Sequence, residues 1–425
     1  MNPIRGWLAD ARQNPDTRHV DTCDGVRALA ILIVAWYHIW QQSWLYPNLT
    51  IGGKTVTDEI YAELTYSGKH CSIASFNEIK DQVILISGFC LYLPWARLTV
   101  GEAGQSPLAF YEKRLARVHP SYLLTIAVMF GVALATNAYG ANRAFLLRDL
   151  VSHLTYTQMF AYDTYYATNL GGALWTLALE MQLYLLFPLL ARAFRRRPAL
   201  TFVAMVGLAL ASRKYIAAAY YDVSLYFNQL PAYLDTFALG MAAAAIHVRL
   251  ADKRHGPVMR IVCSGVTIAA LCLLWQTAKG QAGCLNTEVI RMGQMNRRLA
   301  MGMLGAALLV ASANAGWLVR HILSNPVTRF VSAVSMQFYI WHQTIAVWLL
   351  RARAIPSAYA NPNYEGDLIW QKQYTFACFA ISLVAAAALT YGFERPIARR
   401  LLQKSGKNAS SLSSLPSKGY ASGSL

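Results

Sequence analysis

Charged residues are scarce in this sequence. Only 14% of its 425 residues are Asp, Glu, Lys or Arg, whereas a soluble domain usually carries roughly 25%. Hydrophobic residues account for 56%, which means that most of the protein surface does not face water. The composition therefore excludes an ordinary soluble domain. The long apolar runs instead indicate helices that cross a membrane, each of which needs about 20 largely apolar residues.

Other features are also missing. The N-terminal residues up to Val20 contain no apolar stretch of the kind that a cleavable signal peptide has. No Cys and His residues have metal-ligand spacing, so we expect no metal, and no glycine-rich loop suits a phosphate. Two of the seven cysteines, Cys71 and Cys284, fall in predicted outer loops, where they would form a disulfide if that compartment is oxidising.

The apolar runs predict an all-α fold, a polytopic transmembrane helix bundle of about ten spans around a central polar cavity. Nine and eleven spans are the alternatives. The predicted spans cover residues 26–45, 82–97, 118–138, 172–192, 199–212, 229–248, 258–277, 298–317, 330–350 and 374–393. The chain then divides into a cytoplasmic N-terminal segment (1–25), the transmembrane domain (26–400) and a disordered cytoplasmic tail rich in Ser, Gly and Lys (401–425).

The net charge of +17 suits either nucleic acid or a membrane surface, and the positions of the basic residues decide between them. With the N-terminus inside, Lys and Arg are more numerous in the inner loops than in the outer loops, for example at Arg195, Arg196 and Arg197. This asymmetry is typical of cytoplasmic loops. We therefore expect a multi-pass protein of the plasma membrane with both termini in the cytoplasm, the lipid bilayer as a partner and no nucleic-acid partner.

Three titratable side chains lie near the middle of predicted spans. A rise of about 1.5 Å per residue puts His38, Glu180 and His342 in the central third of an apolar core about 30 Å thick. Each such residue costs about 2.5–3.5 kcal/mol to insert, so a functional role is the default expectation. The alternative is that each is bonded separately to a neighbouring helix. Three at one depth favour a shared polar cavity.

Three arginines lie on the inner side of these spans. Arg27 precedes His38 by eleven residues, which puts both on one helix face with a depth difference of about 16 Å. Arg114 and Arg117 are three residues apart and share a face, where paired guanidinium groups can bind phosphate. The alternative is an ordinary anchor for membrane orientation. A nucleotide-bearing donor held by these arginines would extend its reactive end toward His38.

Six segments, in this order, resemble the acyltransferase-3 family of integral membrane O-acyltransferases, which includes O-antigen acetylases. They are DGVRALAILIVAWYH (24–38), ISGF (86–89), FYEKRLARVHPSY (110–122), ALWTLALEMQLYLLFPLL (173–190), SMQFYIWHQTI (335–345) and YGFERP (391–396). The sequence departs from the usual family pattern at Ala28, His119 and Leu183, where the family usually has Gly, Tyr and Phe. These departures leave the chemistry intact and bear on acceptor specificity.

The resemblance implies transfer of an acyl group, often acetyl, from cytoplasmic acyl-CoA to a hydroxyl of a carbohydrate or another acceptor. Acyl transfer to an alcohol needs a base near the attacking oxygen, and His38 is the candidate, either as base or as nucleophile. The other assigned residues are donor-binding Arg27, Arg114 and Arg117, catalytic Glu180 and His342, and supporting Asp24, Ser87, Trp175, Gln182 and Tyr184. The alternatives to an enzyme are a transporter of a polar solute and a membrane sensor that does not catalyse transfer.

Overall fold

The structure is a computed structural model. It describes residues 20–44, 50–51, 54–55, 79–99, 102–220, 223–251, 256–282, 287–360, 362 and 367–403. The predicted pairing of Cys71 with Cys284 lies outside the described residues, as do residues 1–19 and 404–425 of the two predicted terminal segments.

Helices dominate the described chain, which confirms the predicted all-α class. In chain order they are α1 (Asp21–Trp44), α2 (Asp81–Ala96), α3 (Pro107–Ala135), α4 (Arg143–Leu154), α5 (Tyr162–Tyr166), α6 (Trp175–Arg196), α7 (Pro198–Ala219), α8 (Ser224–Phe227), α9 (Leu234–Ala251), α10 (Pro257–Ala282), α11 (Thr287–Asn314), α12 (Trp317–Leu323), α13 (Pro326–Arg351) and α14 (Leu368–Leu389). The short 3₁₀ segments are Gln158–Phe160, Gly172–Leu174 and Leu230–Tyr233, and a π-helical turn, Thr390–Glu394, follows α14. Among the described residues, the strands are β1 (Thr50–Ile51) and β2 (Lys54–Thr55), which pair antiparallel.

Seven helical segments of the described chain are long and apolar enough to cross a membrane. The count rises to eight if α11 and α12, which meet at 115°, form one span. Helix α2 is apolar but has only 16 residues. Helix α13 has 26 residues but carries Gln337, His342 and Gln343, which lower its hydropathy. A multi-pass membrane protein is confirmed, and the total of ten spans stays a prediction.

Helix α2 lies inside the bundle, and protein rather than lipid surrounds most of it. Its length of roughly 24 Å is less than the thickness of a bilayer core. Two glycines allow the backbones of α2 and α9 to approach closely. A Cβ on Gly88 would lie 2.5 Å from the carbonyl oxygen of Phe237, and one on Gly240 would lie 2.1 Å from that of Leu85.

Helices α1, α13 and α14 pack around one apolar cluster, formed by Ala28, Ile31, Ala35, Val331, Val334, Phe338 and Ala386. Helix α13 begins with a reciprocal cap. The Asn325 side chain accepts hydrogen bonds from the backbone N–H groups of Val327 (2.9 Å) and Thr328 (3.0 Å), and the Asn325 N–H donates to Thr328 Oγ1 (3.1 Å). The cap fixes where α13 starts. The apolar cluster fixes its rotation against α1, and thereby which polar side chains of the two helices meet.

The start of α1 and the end of α2 lie at the same end of the bundle, which we call the basal end. Val20, Arg97 and Glu102 line one cavity there. Arg195, in the last turn of α6, donates hydrogen bonds to the carbonyl oxygens of Glu102 and Thr99, each over 2.6 Å. These contacts define the direction in which α1, α2 and α6 run, since α1 leaves the basal end while α2 and α6 return to it.

Beyond α3, at the opposite end, helix α4 is joined to its surroundings by a buried carboxylate. Asp149 is fully buried and accepts hydrogen bonds from the Tyr139 hydroxyl and from Thr168 Oγ1, the latter over 2.8 Å. Burial, helped by the hydrogen bond to Asp149, raises the pKa of Tyr139. The phenol therefore remains protonated, and its hydrogen bond holds α4 against the loop that follows α3.

Candidate active site

The structure brings His38 and His342 into direct contact. Nδ1 of His38, on α1, lies 2.8 Å from Nε2 of His342, on α13. The two rings stack with centroids 5.1 Å apart. His342 is fully buried, and its Nδ1 lies 3.0 Å from the carbonyl oxygen of Phe338. Two residues separated by 304 positions in the sequence therefore form one polar unit inside the helix bundle.

The hydrogen bonds fix the proton positions of this pair when both rings are neutral. The Phe338 carbonyl can only accept, so Nδ1 of His342 carries the hydrogen and donates it. Nε2 of His342 is then an acceptor, which requires Nδ1 of His38 to be the donor. The unprotonated nitrogen of His38 is consequently Nε2. The hydrogen bonds from the Phe338 carbonyl through His342 to His38 thus orient the His38 imidazole. They leave the lone pair on Nε2 of His38 to accept a proton.

A cavity of about 150 Å³, which we call the upper cavity, lies between α1, α2, α3, α6 and α13. Tyr339 and Lys80 line it, and Tyr339 lies beside the histidines, because its ring centroid is 5.7 Å from that of His342. The histidines themselves are not among the lining residues. Seven predicted site residues line this cavity: Arg27, Ser87, Arg114, Arg117, Trp175, Glu180 and Tyr184.

Arg27 is held between α2 and α13. Its Nη2 donates to Cys90 Sγ over 3.0 Å, and its Nη1 donates to Ser332 Oγ over 3.5 Å. Ser332 in turn donates to Asp24 Oδ1 over 2.7 Å, and that oxygen lies 4.0 Å from Arg27 Nη1. Asp24 therefore sits beside Arg27. The shortest of these contacts of the guanidinium is to sulfur, which is a weak acceptor.

Arg114 is held by aromatic rings. Its guanidinium carbon lies 5.5 Å from the ring centroid of Phe110 and 5.8 Å from that of Tyr184. Its Nε is buried and has no hydrogen-bond partner among the described residues. Arg117 also lines the upper cavity but is exposed. Because a buried N–H without an acceptor is unfavourable, the orphaned Nε of Arg114 marks a position where a ligand oxygen would be stabilising.

Glu180 belongs to this arginine-lined cavity and not to the histidine pair. It accepts a hydrogen bond from the Tyr184 hydroxyl over 3.2 Å. Within the described part of the chain, no hydrogen bond joins Glu180 to His38 or His342. The three midplane residues predicted to share a cavity thus form two groups. Gln182 is in neither group, since its Nε2 points to Met159 Sδ over 3.2 Å.

Several cavity residues escaped the sequence analysis. Two of them had a usable signal: Ser335 opens a quoted segment and is one helical turn from Tyr339, and Cys90 directly follows a quoted segment and is one turn from Ser87. Lys80 had none, since it lies just before a predicted span and resembles a loop residue. In the described residues, no group of three or more His, Cys, Asp or Glu side chains could hold a metal ion.

Two further intramembrane arginines are paired with carboxylates, which the sequence analysis did not foresee. Arg213 of α7 donates to both oxygens of Asp235, over 2.9 and 2.6 Å, and both side chains are fully buried. Arg298 of α11 donates its Nε to Asp81 over 2.8 Å, and the Tyr233 hydroxyl donates to the same carboxylate over 2.9 Å. Tyr233 lines the upper cavity, so the second pair supports its wall.

Comparison with known proteins gives two findings. The profile of a family described as an acyltransferase domain, the acyltransferase-3 family, matches residues 21–392. Nodulation protein 10 of Rhizobium leguminosarum bv. viciae is 28% identical over 192 residues, which cover 42% of this chain and 46% of that protein. The chain thus spans less than half of that relative. No solved structure matches the chain.

Proposed function

This chain belongs to the acyltransferase-3 family, and from that membership we propose that it transfers an acyl group, with acetyl expected, from cytoplasmic acyl-CoA to a hydroxyl. The acceptor is a carbohydrate or another hydroxylated molecule. The protein is an acyltransferase and a multi-pass membrane protein. The observation that carries the finer proposal is the His38–His342 contact of 2.8 Å, with the Nε2 atom of His38 left to act on a substrate.

His38 is the proposed catalytic base, and His342 is the residue that orients it. Nε2 of His38 takes the proton of the acceptor hydroxyl while the oxygen attacks the thioester carbonyl carbon. The tetrahedral intermediate then breaks its carbon–sulfur bond. The departing CoA sulfur takes the proton back from His38, which leaves the acyl ester and free CoA. The same Nε2 would attack the carbonyl if His38 acts as a nucleophile instead.

The arginines of the upper cavity are the proposed donor-binding residues. Arg27, Arg114 and Arg117 gather positive charge in one cavity, and charged hydrogen bonds to phosphate are among the strong ones. The depth difference of about 16 Å between Arg27 and His38 along α1 suits an extended pantetheine arm. Glu180 and Tyr184 lie in the same cavity, where they would contact the arm or the acceptor hydroxyl. Ser87 and Trp175 complete its wall.

The proposed orientation puts the basal end in the cytoplasm of a plasma membrane. Arg195, Arg196 and Arg197 lie where α6 returns to that end, and basic residues mark cytoplasmic loops. Acyl-CoA, which is made in the cytoplasm, would then enter from the basal end. Both termini would lie on the same side.

Acyl transfer is tested with protein reconstituted in vesicles and supplied with isotopically labelled acetyl-CoA. Mass spectrometry of glycans, lipids and small metabolites should find the label covalently attached with wild-type protein and not with His38→Ala. His321→Ala is the matched control, since His321 lines a separate cavity with Arg260 and Arg320. Label that crosses the membrane without covalent attachment would indicate a transporter. Donor binding with neither transfer nor transport would indicate a sensor, and either result would contradict the proposal.

A further inference from the structure

A second cavity opens at the basal end, and we call it the basal cavity. Its volume is about 570 Å³. It shares Arg27 and Cys90 with the upper cavity, so these two side chains stand at the junction of the two spaces. Cys23, Asp24, Arg97 and Glu102 also line it.

The junction is closed by weak contacts. Arg27 Nη2 donates to Cys90 Sγ over 3.0 Å, and Cys23 Sγ lies 3.6 Å from Cys90 Sγ. Sulfur is a weak acceptor, whereas a phosphate oxygen makes a short, charge-assisted hydrogen bond with a guanidinium. A phosphate group that reached the junction would therefore replace Cys90 as the partner of Arg27. When Arg27 exchanges Cys90 for the phosphate, a passage would open between the two cavities. No short ion pair has to break, because the carboxylate of Asp24 is 4.0 Å from Arg27.

The basal cavity also offers guanidinium groups to a phosphorylated ligand, beside two carboxylates, Asp24 and Glu102. Arg97 lines it, and Arg195 contacts its edge through the Glu102 carbonyl. Its two acidic groups already accept hydrogen bonds. Glu102 Oε2 accepts from the Thr99 N–H over 2.7 Å, and Asp24 accepts from Ser332.

We propose that the basal cavity is the nucleotide half of a two-part donor site. The inference rests on the proposed function, because it assumes that the donor is acyl-CoA. The 3′-phosphate on the ribose of acyl-CoA pairs with Arg97. The diphosphate of acyl-CoA replaces Cys90 Sγ as the hydrogen-bond acceptor of Arg27. The pantetheine arm then passes the junction, past Arg114, into the upper cavity. Arg97 and Cys90 are outside the motifs that carry the family resemblance, so the sequence alone does not assign them.

A binding cycle tests the role of Arg97. The affinities of CoA and of dephospho-CoA, which lacks the 3′-phosphate, are measured on the intact protein in nanodiscs. Arg97→Gln should weaken CoA binding roughly tenfold or more, since a hydrogen bond to a charged group is lost. The same variant should leave dephospho-CoA binding unchanged. Arg260→Gln is the control, because it removes one exposed arginine that lines a different cavity, and it should affect neither ligand.

Labelling of Cys90 tests the passage independently of activity and of folding variants. Maleimide modification of wild-type protein is followed by mass spectrometry with and without 3′,5′-ADP or desulfo-CoA, neither of which has a thiol. Both ligands should slow labelling of Cys90. A cysteine introduced at Gly256, which is exposed just before α10 and has open space around its Cα, is the internal control and should be labelled at the same rate throughout.

The outcomes separate the inference from the proposed function. If CoA binds but neither Arg97→Gln nor Cys90 labelling responds, the nucleotide lies elsewhere and the inference is overturned, while acyl transfer stands. If CoA does not bind the wild-type protein at all, the donor is not acyl-CoA and both proposals fail. Equal losses of CoA and dephospho-CoA affinity in Arg97→Gln, without protection of Cys90, would also overturn the inference.

Discussion

Arg213 and Arg114 both lie within membrane-crossing helices, but their surroundings differ. Arg213 is fully buried and holds both oxygens of Asp235. Arg114 faces a cavity and stacks on Phe110 and Tyr184, whereas the Nε atoms of both arginines are buried without a partner among the described residues. Within the described part of the chain, no carboxylate lies within salt-bridge distance of Arg114. The first arginine is neutralised by the protein, and the second is open to a ligand.

This difference teaches how to interpret charges inside a membrane protein. A charged residue in a span is a functional candidate by default. Arg213 and Arg298 show that an ion-pair partner must be looked for before such a role is assigned. Each has a carboxylate on another segment. The paired region therefore supports the fold, and the cavity region is the one proposed for binding and chemistry. Substitutions in the two regions should consequently affect different measurements.

The largest effect on stability is expected in the paired region. Arg213→Met leaves the Asp235 carboxylate buried and unpaired, which should lower the free energy of unfolding by about 3–5 kcal/mol. Denaturant unfolding of the purified protein in detergent measures it. The double variant Arg213→Met/Asp235→Leu removes both charges and should recover most of the loss. A single variant as stable as wild type would mean that the pair has no structural role.

A smaller effect, on binding alone, is expected in the cavity region. Arg114→Lys keeps the charge but loses the planar fork, so acyl-CoA affinity should fall by about 1.5–3 kcal/mol. The free energy of unfolding and the membrane orientation should not change, because Lys serves the positive-inside rule equally well. Donor titration in inverted vesicles tests this, with Arg320→Lys as the control. Unchanged donor affinity in Arg114→Lys and in Arg117→Lys would reduce these arginines to orientation anchors.

The close contact of α2 and α9 gives a third test, of the scaffold between the two regions. Gly240→Ala places a Cβ 2.1 Å from the Leu85 carbonyl oxygen, so it should destabilise the protein by about 1–3 kcal/mol. Gly265, on α10, has open space around its Cα. There the same change should stabilise by roughly 0.5–1 kcal/mol, because alanine favours the helix. Thermal unfolding of the two variants should shift in opposite directions, and equal shifts would contradict the proposed packing.

The orientation of the protein in the membrane has the smallest effect on stability and affinity, but it decides from which side the donor enters. Single cysteines placed near residues 10 and 415 should resist an impermeant thiol reagent in intact cells and react in inverted vesicles. Labelling in intact cells would move Arg114 and Arg117 to the side without acyl-CoA, and the donor would have to be reconsidered.

The sequence predicts the helical class well because hydrophobic runs report directly on length and burial in lipid. It predicts α2 less well, since a helix surrounded by protein need be neither long nor free of residues such as Asp81. Depth along a helix is also predictable, which is why His38, Glu180 and His342 were grouped. Which side chains contact one another cannot be predicted in this way, because the contacts depend on helix rotation and packing. The pairing of His38 with His342, and the separation of Glu180 from them, follow from the apolar contacts of α1 with α13.

The central claim is that His38 performs the proton transfer, and the rate of labelled acyl transfer by His38→Ala tests it most directly. General acid–base catalysis contributes about 10²–10⁴-fold, so the variant should be at least about 100-fold slower than wild type. Its acyl-CoA affinity should match the wild-type value, since the arginine cavity is untouched, whereas its free energy of unfolding should fall by about 1–3 kcal/mol because the buried Nε2 of His342 loses its donor. A correctly inserted His38→Ala protein that transfers the acyl group at nearly the wild-type rate would contradict the account.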